Sequence, residues 1–287
     1  MTLTLGPRRF ETGEFAVMAI VNRTPDSFYA PGRSADLAHA IDTVSRAVED
    51  GADIVDVGGV RAGYGPGVPV AEELDRVLPV VETVRTRFPD VVISVDTWRH
   101  EVAREVVRAG ADLINDTWAG ADPDLVSLAA ATGAGLVCSH TGGLPPRTDP
   151  HRVAYDDVVV DVVTTLTSAA EAAVARGVRR DGILVDPTHD FGKNTRHSLE
   201  LTRRLDELVA TGWPVLVALS RKDFIGETLD LPADERLSGT LAATAISAWH
   251  GAQVFRTHDP RETRQVLDMV ASIRGARPPA VARRGLA

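Results

Sequence analysis

The sequence is poor in cysteine and in aromatic residues, and it has no surplus of positive charge. A single cysteine, Cys138, excludes an intramolecular disulfide and most cysteine-based zinc sites, and it favours a reducing compartment. The formal net charge of -9 at pH 7 argues against non-specific binding to nucleic acid or to anionic membranes. An anionic ligand would therefore have to meet a local cluster of basic side chains.

Long apolar runs are also missing. The sequence has no stretch of about 18 consecutive apolar residues, so it predicts no transmembrane helix. The first ten residues lack the apolar segment of a signal peptide. We therefore expect a cytoplasmic protein with neither a membrane nor a nucleic acid as its partner.

The sequence does contain a repeated unit, in which a short apolar run ends in polar residues and a helical pattern follows. The eight runs are residues 16–21, 53–57, 91–95, 112–114, 135–138, 182–185, 214–219 and 252–255. Runs this short and apolar on both faces are typical of parallel strands covered by helices. Eight such units, with no strand left over, predict an α/β fold of the closed (β/α)8 type, a TIM barrel.

The domain organisation follows from the same pattern. We predict a single domain with its core at about residues 15–275, because no linker divides the chain. Residues 3–15 predict a short hairpin ahead of the first core strand. Residues 276–287 show no periodicity and are predicted to be a disordered tail.

In a barrel of this type the carboxyl ends of the strands meet at one mouth, where ligands bind. The polar residues expected at this mouth are Asn22, Asp56, Asp96, Asn115, His140, Asp186, Lys222, Arg256 and His258. Carboxylates and carboxamides accept hydrogen bonds from ring N–H and NH2 groups, and a lysine suits a carbonyl oxygen. This combination predicts a site for a nitrogen-rich heterocycle.

A second feature of the mouth is a small cationic corner. Arg256 and His258 lie two residues apart, so on a strand they would face the same side, and the first and last strands of a closed barrel place Asn22 beside them. Such a corner suits a phosphate group. Simpler readings remain for single residues, because a buried aspartate can bond a loop N–H and His140 can be a core histidine. The glycine motifs of common nucleotide-binding loops are absent.

The ordered set of motifs resembles the dihydropteroate synthase family from about residue 17 to residue 273. The motifs are 22–28 (NRTPDSF), 56–59 (DVGG), 93–97 (ISVDT), 114–116 (IND), 186–187 (DP), 191–193 (FGK), 220–226 (SRKDFIG), 235–240 (ERLSGT) and 256–259 (RTHD). The resemblance implies a barrel enzyme that joins p-aminobenzoate to 6-hydroxymethyl-7,8-dihydropterin pyrophosphate and releases pyrophosphate with Mg2+ present. It also implies a homodimer formed through the late helices.

The resemblance also implies a role for each matching residue. The pterin ring would be held by Asp96, Asn115, Asp186 and Lys222. Pyrophosphate would be held by Asn22, Arg256 and His258, with Asn22 as a ligand of Mg2+. The arylamine would meet Phe28, Arg61, Phe191 and Ser220. The catalytic set would be Asp26, Asp96, Lys222, Arg256 and His258.

The sequence departs from the family pattern in its loops. Residues 60–67 read VRAGYGPG where the family has Glu-Ser-Thr-Arg-Pro-Gly, and Arg61 stands two places early. Residues 139–141 read Ser-His-Thr in place of Met-His-Met, and residues 188–190 read Thr-His-Asp in place of Gly-Ile-Gly. In the first loop Arg23 replaces an apolar residue, and residues 29–31 read Tyr-Ala-Pro in place of Ser-Asp-Gly. These changes concentrate on the arylamine side of the expected site.

Three functional hypotheses follow. The first, which we take as the main reading, is a working dihydropteroate synthase with unusual loops. The alternative is a paralogue that keeps the pterin site but has little or no synthase activity, or that condenses another amine. The third is a methyltetrahydrofolate-binding methyl-transfer domain, which shares the pterin-binding barrel. The cationic corner argues against the third, since a methyl donor needs no pyrophosphate site.

Overall fold

The computed structural model describes residues 2–23, 33–63, 65, 67–148 and 154–285. A two-stranded antiparallel hairpin opens the chain, with β1 at Leu3–Leu5 and β2 at Arg8–Phe10. The remaining strands form one parallel sheet: β3 (Ala16–Asn22), β4 (Ile54–Gly58), β5 (Val92–Asp96), β6 (Leu113–Asp116), β7 (Gly135–Ser139), β8 (Ile183–Asp186), β9 (Leu216–Ala218) and β10 (Val254–Thr257). The predicted hairpin is therefore confirmed.

The strands are ordered β8-β7-β6-β5-β4-β3-β10-β9. Strands β3 to β8 lie beside one another in sequence order, and the last strand, β10, pairs with the first strand of this sheet, β3. A parallel bridge between Val185 and Val215 connects the two outer strands, and the Val185 amide donates to the Pro214 carbonyl at 2.9 Å. The eight strands thus form a nearly closed parallel barrel, and the predicted (β/α)8 fold is confirmed.

The helices cover the outside of the barrel, one or more after each strand. They are α1 (Arg33–Glu49), α2 (Val70–Arg87), α3 (His100–Arg108), α4 (Asp124–Thr132), α5 (Val158–Ala175), α6 (Thr195–Arg203), α7 (Leu205–Val209), α8 (Asp223–Leu229), α9 (Leu237–His250) and α10 (Pro260–Ile273). Two details differ from the predicted pattern. The helix after β8 breaks at Arg204, and the short helix α8 precedes α9.

The core has an inner and an outer layer. Side chains such as Met18, Ile54 and Leu113 fill the barrel interior together with Leu3 and Phe10 from the hairpin. The hairpin therefore closes the amino-terminal end of the barrel, which leaves the carboxyl end for a ligand. The outer layer packs strands against helices, with valines predominating around β4, β5 and α2.

Helix α5 is, within the described part of the chain, the one helix long and apolar enough by mean hydropathy (1.6) to span a membrane. It packs against β7 and β8 in the barrel, and its inner face buries Val158, Val162 and Leu166. A core helix of a barrel passes the same test of length and composition, and Asp161 in its first turn bonds His140. We therefore interpret α5 as a barrel helix.

Strand register brings the polar strand ends to one level. Asp96 at the end of β5 stands opposite Gly58 of β4 and opposite Asn115 of β6. Asn22 of β3 stands opposite the same Gly58. Successive side chains of a strand point to opposite faces of the sheet, so residues at the same level on neighbouring strands point to the same face. Such residues can line one cavity. Residues 276–285 are exposed and carry no helix or strand.

Candidate functional site

A cavity of about 270 Å³ opens at the carboxyl end of the barrel, and we call it the mouth cavity. The predicted residues that line it are Asn22, Arg61, Asp96, Asn115, Asp186, Phe191, Lys222 and Arg256. The lining residues that were not predicted are Val60, Ala62, Thr117, Thr188 and Ala218. Of the four other residues of the predicted site, Ser220 and His258 do not line the cavity, and Asp26 and Phe28 lie outside the described residues.

The β5 side of the mouth cavity is acidic. The carboxylate of Asp96 accepts hydrogen bonds from the Thr117 hydroxyl at 2.7 Å and from Arg256 at 3.0 Å. Burial raises the pKa of Asp96 to about 7, the charge of Arg256 opposes this rise, and the nearby Asp56 adds to it. The Asp96 carboxyl group lies next to Asn115 on β6.

Asp56 organises this side from beneath. Its carboxylate is fully buried and accepts hydrogen bonds from Ser94 at 2.5 Å, Asn115 at 3.1 Å and Arg256 at 2.6 Å. From the sequence we predicted Asp56 at the mouth but assigned it no ligand. The structure makes it the residue that orients both the Asn115 amide and the Arg256 guanidinium.

The cationic corner is arranged differently from the prediction. Arg256 is bonded to Asp56 and Asp96 and lines the mouth cavity with Asn22. His258 does not line it; its backbone N–H donates to Ser220 Oγ at 3.2 Å, and Ser220 Oγ lies 3.0 Å from its Nδ1. Because β10 ends at Thr257, His258 lies outside the strand. The alternation of side chains along a strand therefore does not place His258 on the same side as Arg256. Two carboxylates on β4 and β5 hold the guanidinium over the barrel interior.

The pair of Ser220 and His258 sits beside the mouth cavity. Ser220 is buried, its hydroxyl lies 3.0 Å from His258 Nδ1, and it does not line the mouth cavity; its arylamine role stays a prediction. Loss of hydration around the His258 ring and the nearby charge of Arg256 lower its pKa to about 4, although the residue as a whole is exposed. His258 therefore offers a neutral imidazole at neutral pH.

On its β8 side the mouth cavity is lined by the carboxylate of Asp186 and the ammonium group of Lys222. Asp186 is buried, and its carboxylate accepts the Thr188 backbone N–H at 2.7 Å. Burial raises the pKa of Asp186, and Lys222 is the charge that opposes this rise most. The ammonium of Lys222 donates to the His189 carbonyl and lies 5.0 Å from the centroid of the Phe191 ring.

The loop after β8 keeps a left-handed backbone without the expected glycines. Thr188 has φ +50° and Asp190 has φ +70°, at the two positions where the family pattern has glycine. Side chains compensate for the strain: the Thr188 hydroxyl donates to the Asp186 carbonyl at 2.9 Å and accepts the His140 N–H at 3.2 Å. Lys193 secures the same loop by donating to the carbonyls of His140, Thr188 and Phe191.

His140 points away from the mouth cavity. Its Nε2 lies 2.7 Å from Asp161 of α5, and the residue is buried between the barrel and that helix. Burial, helped by the charge of Lys193, lowers the pKa of His140 to about 4. The simpler reading, that His140 is a core histidine, fits this position.

The loop after β4 covers one side of the mouth cavity. Arg61 and Ala62 line the cavity, and Arg147 from the segment after β7 donates to the Gly63 carbonyl at 3.1 Å. A Cβ at position 65 would lie 2.5 Å from the Arg147 guanidinium, which would have to shift to make room for it. Arg147 thus packs closely against this loop.

The mouth cavity offers few ligands for a metal ion. Asn22 supplies one carboxamide oxygen beside Gly58. Among the described residues, the one group of three metal-ligating side chains is His100, Glu101 and Asp122, which do not line the cavity. Mg2+ is commonly held by one or two protein oxygens together with water and substrate phosphates. Asn22 therefore fits as a single ligand of Mg2+.

Comparisons with known proteins identify the family of this chain. The sequence model of the family described as "Pterin binding enzyme" matches residues 18–258. "Inactive dihydropteroate synthase 2" of Mycobacterium leprae is 59% identical over 275 residues, which cover 94% of each chain. "Dihydropteroate synthase" of Escherichia coli is 39% identical over 262 residues, which cover 91% of this chain and 92% of that protein.

Solved structures show the same relationship. The crystal structure of the Yersinia pestis dihydropteroate synthase with a sulfonamide drug complex matches with a TM-score of 0.88 and 37% identity, and the match covers 96% of this chain and 100% of that one. The dihydropteroate synthase of Xanthomonas albilineans with 4-aminobenzoic acid matches with a TM-score of 0.87 and 35% identity, covering 98% and 99% of the two chains. This chain belongs to the pterin-binding enzyme family, as a divergent paralogue of the dihydropteroate synthases.

Proposed function

We propose that this protein binds a pterin pyrophosphate in the mouth cavity and catalyses little or no dihydropteroate synthesis. The observation that carries the proposal is that the four ring residues line one cavity, whereas the loops that border this cavity depart from the family pattern. The ring residues are Asp96, Asn115, Asp186 and Lys222. The altered loops border the cavity at Arg61 and Thr188. The similarity to relatives named inactive dihydropteroate synthase 2 supports the same reading over that of a working synthase.

Ring binding requires acceptors for the N–H groups of the pterin and a donor for its carbonyl oxygen. Asp186 and Asp96 carry carboxylates on facing sides of the mouth cavity, and Asn115 adds a carboxamide that Asp56 holds in place. Lys222 supplies the ammonium donor. Hydrogen bonds to charged groups each contribute about 1.5–3 kcal/mol, so these four side chains are sufficient for a stable complex.

Synthase chemistry requires stabilisation of the departing pyrophosphate. Cleavage of the C–O bond leaves a delocalised cation on the pterin, and the enzyme must neutralise the leaving group and exclude water. Here Arg256 lines the mouth cavity and is held by Asp56 and Asp96, and all three residues match the family pattern. Further support for the leaving group would come from Asn22 and from Mg2+, which neutralises phosphate charge when bound. The departures from the pattern lie in the loops after β4 and β8, which border the cavity at Arg61 and Thr188. We therefore expect positioning of the arylamine and exclusion of water to limit synthesis.

The first test measures binding and turnover separately. Calorimetry with 6-hydroxymethyl-7,8-dihydropterin pyrophosphate and Mg2+ is expected to show a complex, and removal of Mg2+ with a chelator is expected to weaken it. In a coupling assay with p-aminobenzoate, turnover is expected to be at least about a hundredfold below that of the Escherichia coli enzyme. The loop arginine of the family pattern is displaced to Arg61, and one charged contact of up to about 3 kcal/mol corresponds to roughly a hundredfold in rate. Turnover within tenfold of that enzyme would contradict the proposal, as would the absence of pterin binding.

We further propose a homodimer formed through α9 and α10, in the cytoplasm. Helix α9 contains no Asp, Glu, Lys or Arg, and its outer face exposes Ile246 (48%) and Trp249 (57%). Helix α10 packs beside it and exposes Met269 (61%) and Ile273 (60%). An apolar surface of four large side chains on adjacent helices suits a second copy of this chain.

Replacing Trp249 with glutamate is expected to convert the dimer to a monomer, because two carboxylates would be buried at the centre of a two-fold interface. Sedimentation velocity across a range of protein concentrations measures the change. Val160→Glu on α5, at a similarly exposed position (54%), is the control and should leave the assembly unchanged. A wild-type protein that is monomeric at all concentrations would refute the dimer.

A further inference from the structure

The loop between β8 and α6, residues 187–194, is held by a buried ammonium group. Lys193 is 4% exposed. Its Nζ donates to the carbonyls of His140 at 2.8 Å, Thr188 at 3.2 Å and Phe191 at 2.9 Å. An ammonium group has three hydrogens, so these three acceptors use all of them. Lys193 therefore ties the loop to itself and to the residue that follows β7.

Two of the residues held in this way form one side of the mouth cavity, and we call Thr188 and Phe191 the β8 wall. The Phe191 ring packs edge-on against the Trp118 ring, with 5.5 Å between the ring centroids. Lys193 does not line the cavity itself. Because its ammonium group bonds the backbone carbonyls of both wall residues, the position of the wall depends on these hydrogen bonds.

The loop needs such support because its backbone is strained. Thr188 has φ +50° and Asp190 has φ +70°, which is the left-handed region that favours glycine. Gly192 has φ +61°, and a Cβ there would lie 2.1 Å from the Thr141 carbonyl oxygen, so the loop runs close against the segment after β7. Strained residues persist where the surrounding contacts hold them. Lys193 supplies three of these contacts from one buried atom.

Lysine is a rare residue in this chain. Of the 31 lysine and arginine residues, two are lysines, and they are Lys193 and Lys222. Arginine stays charged and holds its donors in a planar fork, whereas lysine carries a compact ammonium group whose pKa shifts readily on burial. A cation that directs three hydrogens at three carbonyls of one loop thus requires lysine. It also introduces a buried group that can lose its proton.

The surroundings of Lys193 favour this loss near neutral pH. Burial lowers the pKa of Lys193 to about 7, the charge of Lys222 contributes, and the carboxylates of Asp186, Asp161 and Asp190 oppose the fall. The other titratable side chains around it are the imidazoles of His140, His189 and His197, whose pKa values burial lowers, and the phenol of Tyr155, whose pKa burial raises to about 12. These four side chains are uncharged at neutral pH.

We propose that Lys193 is a positioning residue of the pterin site, whose ammonium form holds the β8 wall in place and whose neutral form releases it. A neutral amine has two hydrogens for three carbonyl oxygens and turns its lone pair towards one of them. A pterin bound against the wall favours the ammonium form, so by linkage its binding makes Lys193 harder to deprotonate. The inference rests on the proposed function, because it concerns the site of a bound pterin.

The presence of two lysines makes a direct test possible. NMR of the full chain with isotope-labelled lysine gives two side-chain signals, which Lys193→Met assigns, or Lys222→Met if the first variant does not fold. The Lys193 signal is titrated with and without saturating 6-hydroxymethyl-7,8-dihydropterin, which has no phosphate to titrate. We expect a midpoint at about pH 7 in the free protein. The pterin should raise it by at least about 0.7, which corresponds to roughly fivefold tighter binding by the ammonium form.

Calorimetry with the same pterin measures the effect on affinity. Lys193→Met keeps the length of the side chain and removes its charge. At about pH 6 we expect this variant to bind at least about fourfold more weakly than the wild-type protein, and at about pH 8.5, where the wild-type amine is neutral too, within about twofold of it. Asp96 and Lys222 are present in both proteins, so their own titration cancels in the ratio of affinities.

Arg85→Met is the matched control. Arg85 also holds three backbone carbonyls, those of Gly110, Pro89 and Val91, but at the amino-terminal end of the barrel. Its replacement removes a cation that supports loops without contact to the β8 wall. We expect the ratio of wild-type to variant affinity for the pterin to stay within about twofold at both pH values.

The outcomes separate the two proposals. If the wild-type protein does not bind the pterin, the proposed function fails and this inference fails with it. If it binds the pterin but the midpoint of the Lys193 signal stays where it was, this inference alone is overturned. The same follows if a folded Lys193→Met binds as tightly as the wild-type protein at about pH 6. A loss of equal size at both pH values would also overturn it, because that pattern indicates a purely structural side chain.

Discussion

Replacing Asp186 with asparagine is expected to weaken pterin binding by about ten- to a hundredfold. Asp186 is buried in the mouth cavity, and Lys222 is the cation that most opposes the rise in its pKa caused by burial. The ring would lose a hydrogen bond to a charged acceptor, which contributes about 1.5–3 kcal/mol, and an amide NH2 would oppose the ring N–H. Calorimetry with the pterin pyrophosphate measures the loss.

The control for this variant is Asp181→Asn, in the turn that precedes the same strand. Asp181 is 47% exposed and pairs with Arg179 at the opposite end of the barrel. Its replacement should change pterin affinity less than twofold. If Asp186→Asn binds the pterin as tightly as the wild-type protein, the ring does not occupy the position that we propose.

Replacing Asp56 with alanine is expected to lower the free energy of unfolding by about 3–5 kcal/mol. The carboxylate is fully buried and accepts hydrogen bonds from Ser94, Asn115 and Arg256. Its removal leaves these three donors without their acceptor and leaves a mostly buried guanidinium with Asp96 as its remaining carboxylate partner. Urea denaturation measures the change in the free energy of unfolding.

A double variant identifies the cause of this loss. Asp56→Ala combined with Arg256→Met removes the buried charge along with its partner, and it should be more stable than Asp56→Ala alone by about 1 kcal/mol or more. Asp90→Ala in an exposed turn is the control and should change stability by no more than about 0.5 kcal/mol. A loss of less than about 1 kcal/mol for Asp56→Ala would show that the carboxylate does not organise the mouth.

The fold was predictable because its cause is local and repeats along the chain. Each apolar run is long enough for one buried strand, and each is followed by a helical pattern, so eight repeats determine the barrel without knowledge of any tertiary contact. The helix α8 escaped prediction because seven residues carry too little periodicity to be distinguished from a loop. The break between α6 and α7 involves the single residue Arg204, which is too short to leave a pattern in the sequence.

The residues of the site were predictable only as far as strand geometry applies. Asp96, Asn115, Asp186 and Lys222 stand at or just beyond strand ends, and the structure brings all four to one cavity. Their roles in ring binding stay predictions. His258 and Ser220 do not line the cavity, which strand geometry does not foresee, because both lie beyond the end of a strand and their mutual hydrogen bond depends on loops from two units.

The sequence by itself determined the barrel, the family and the set of polar side chains at its mouth, since these depend on residue identity and on spacing along the chain. Only the tertiary structure decided how the charges at that mouth are paired. Arg256 joins Asp56 and Asp96 across strands that are far apart in sequence. Charge pairing depends on distances between atoms in space, which local patterns do not contain.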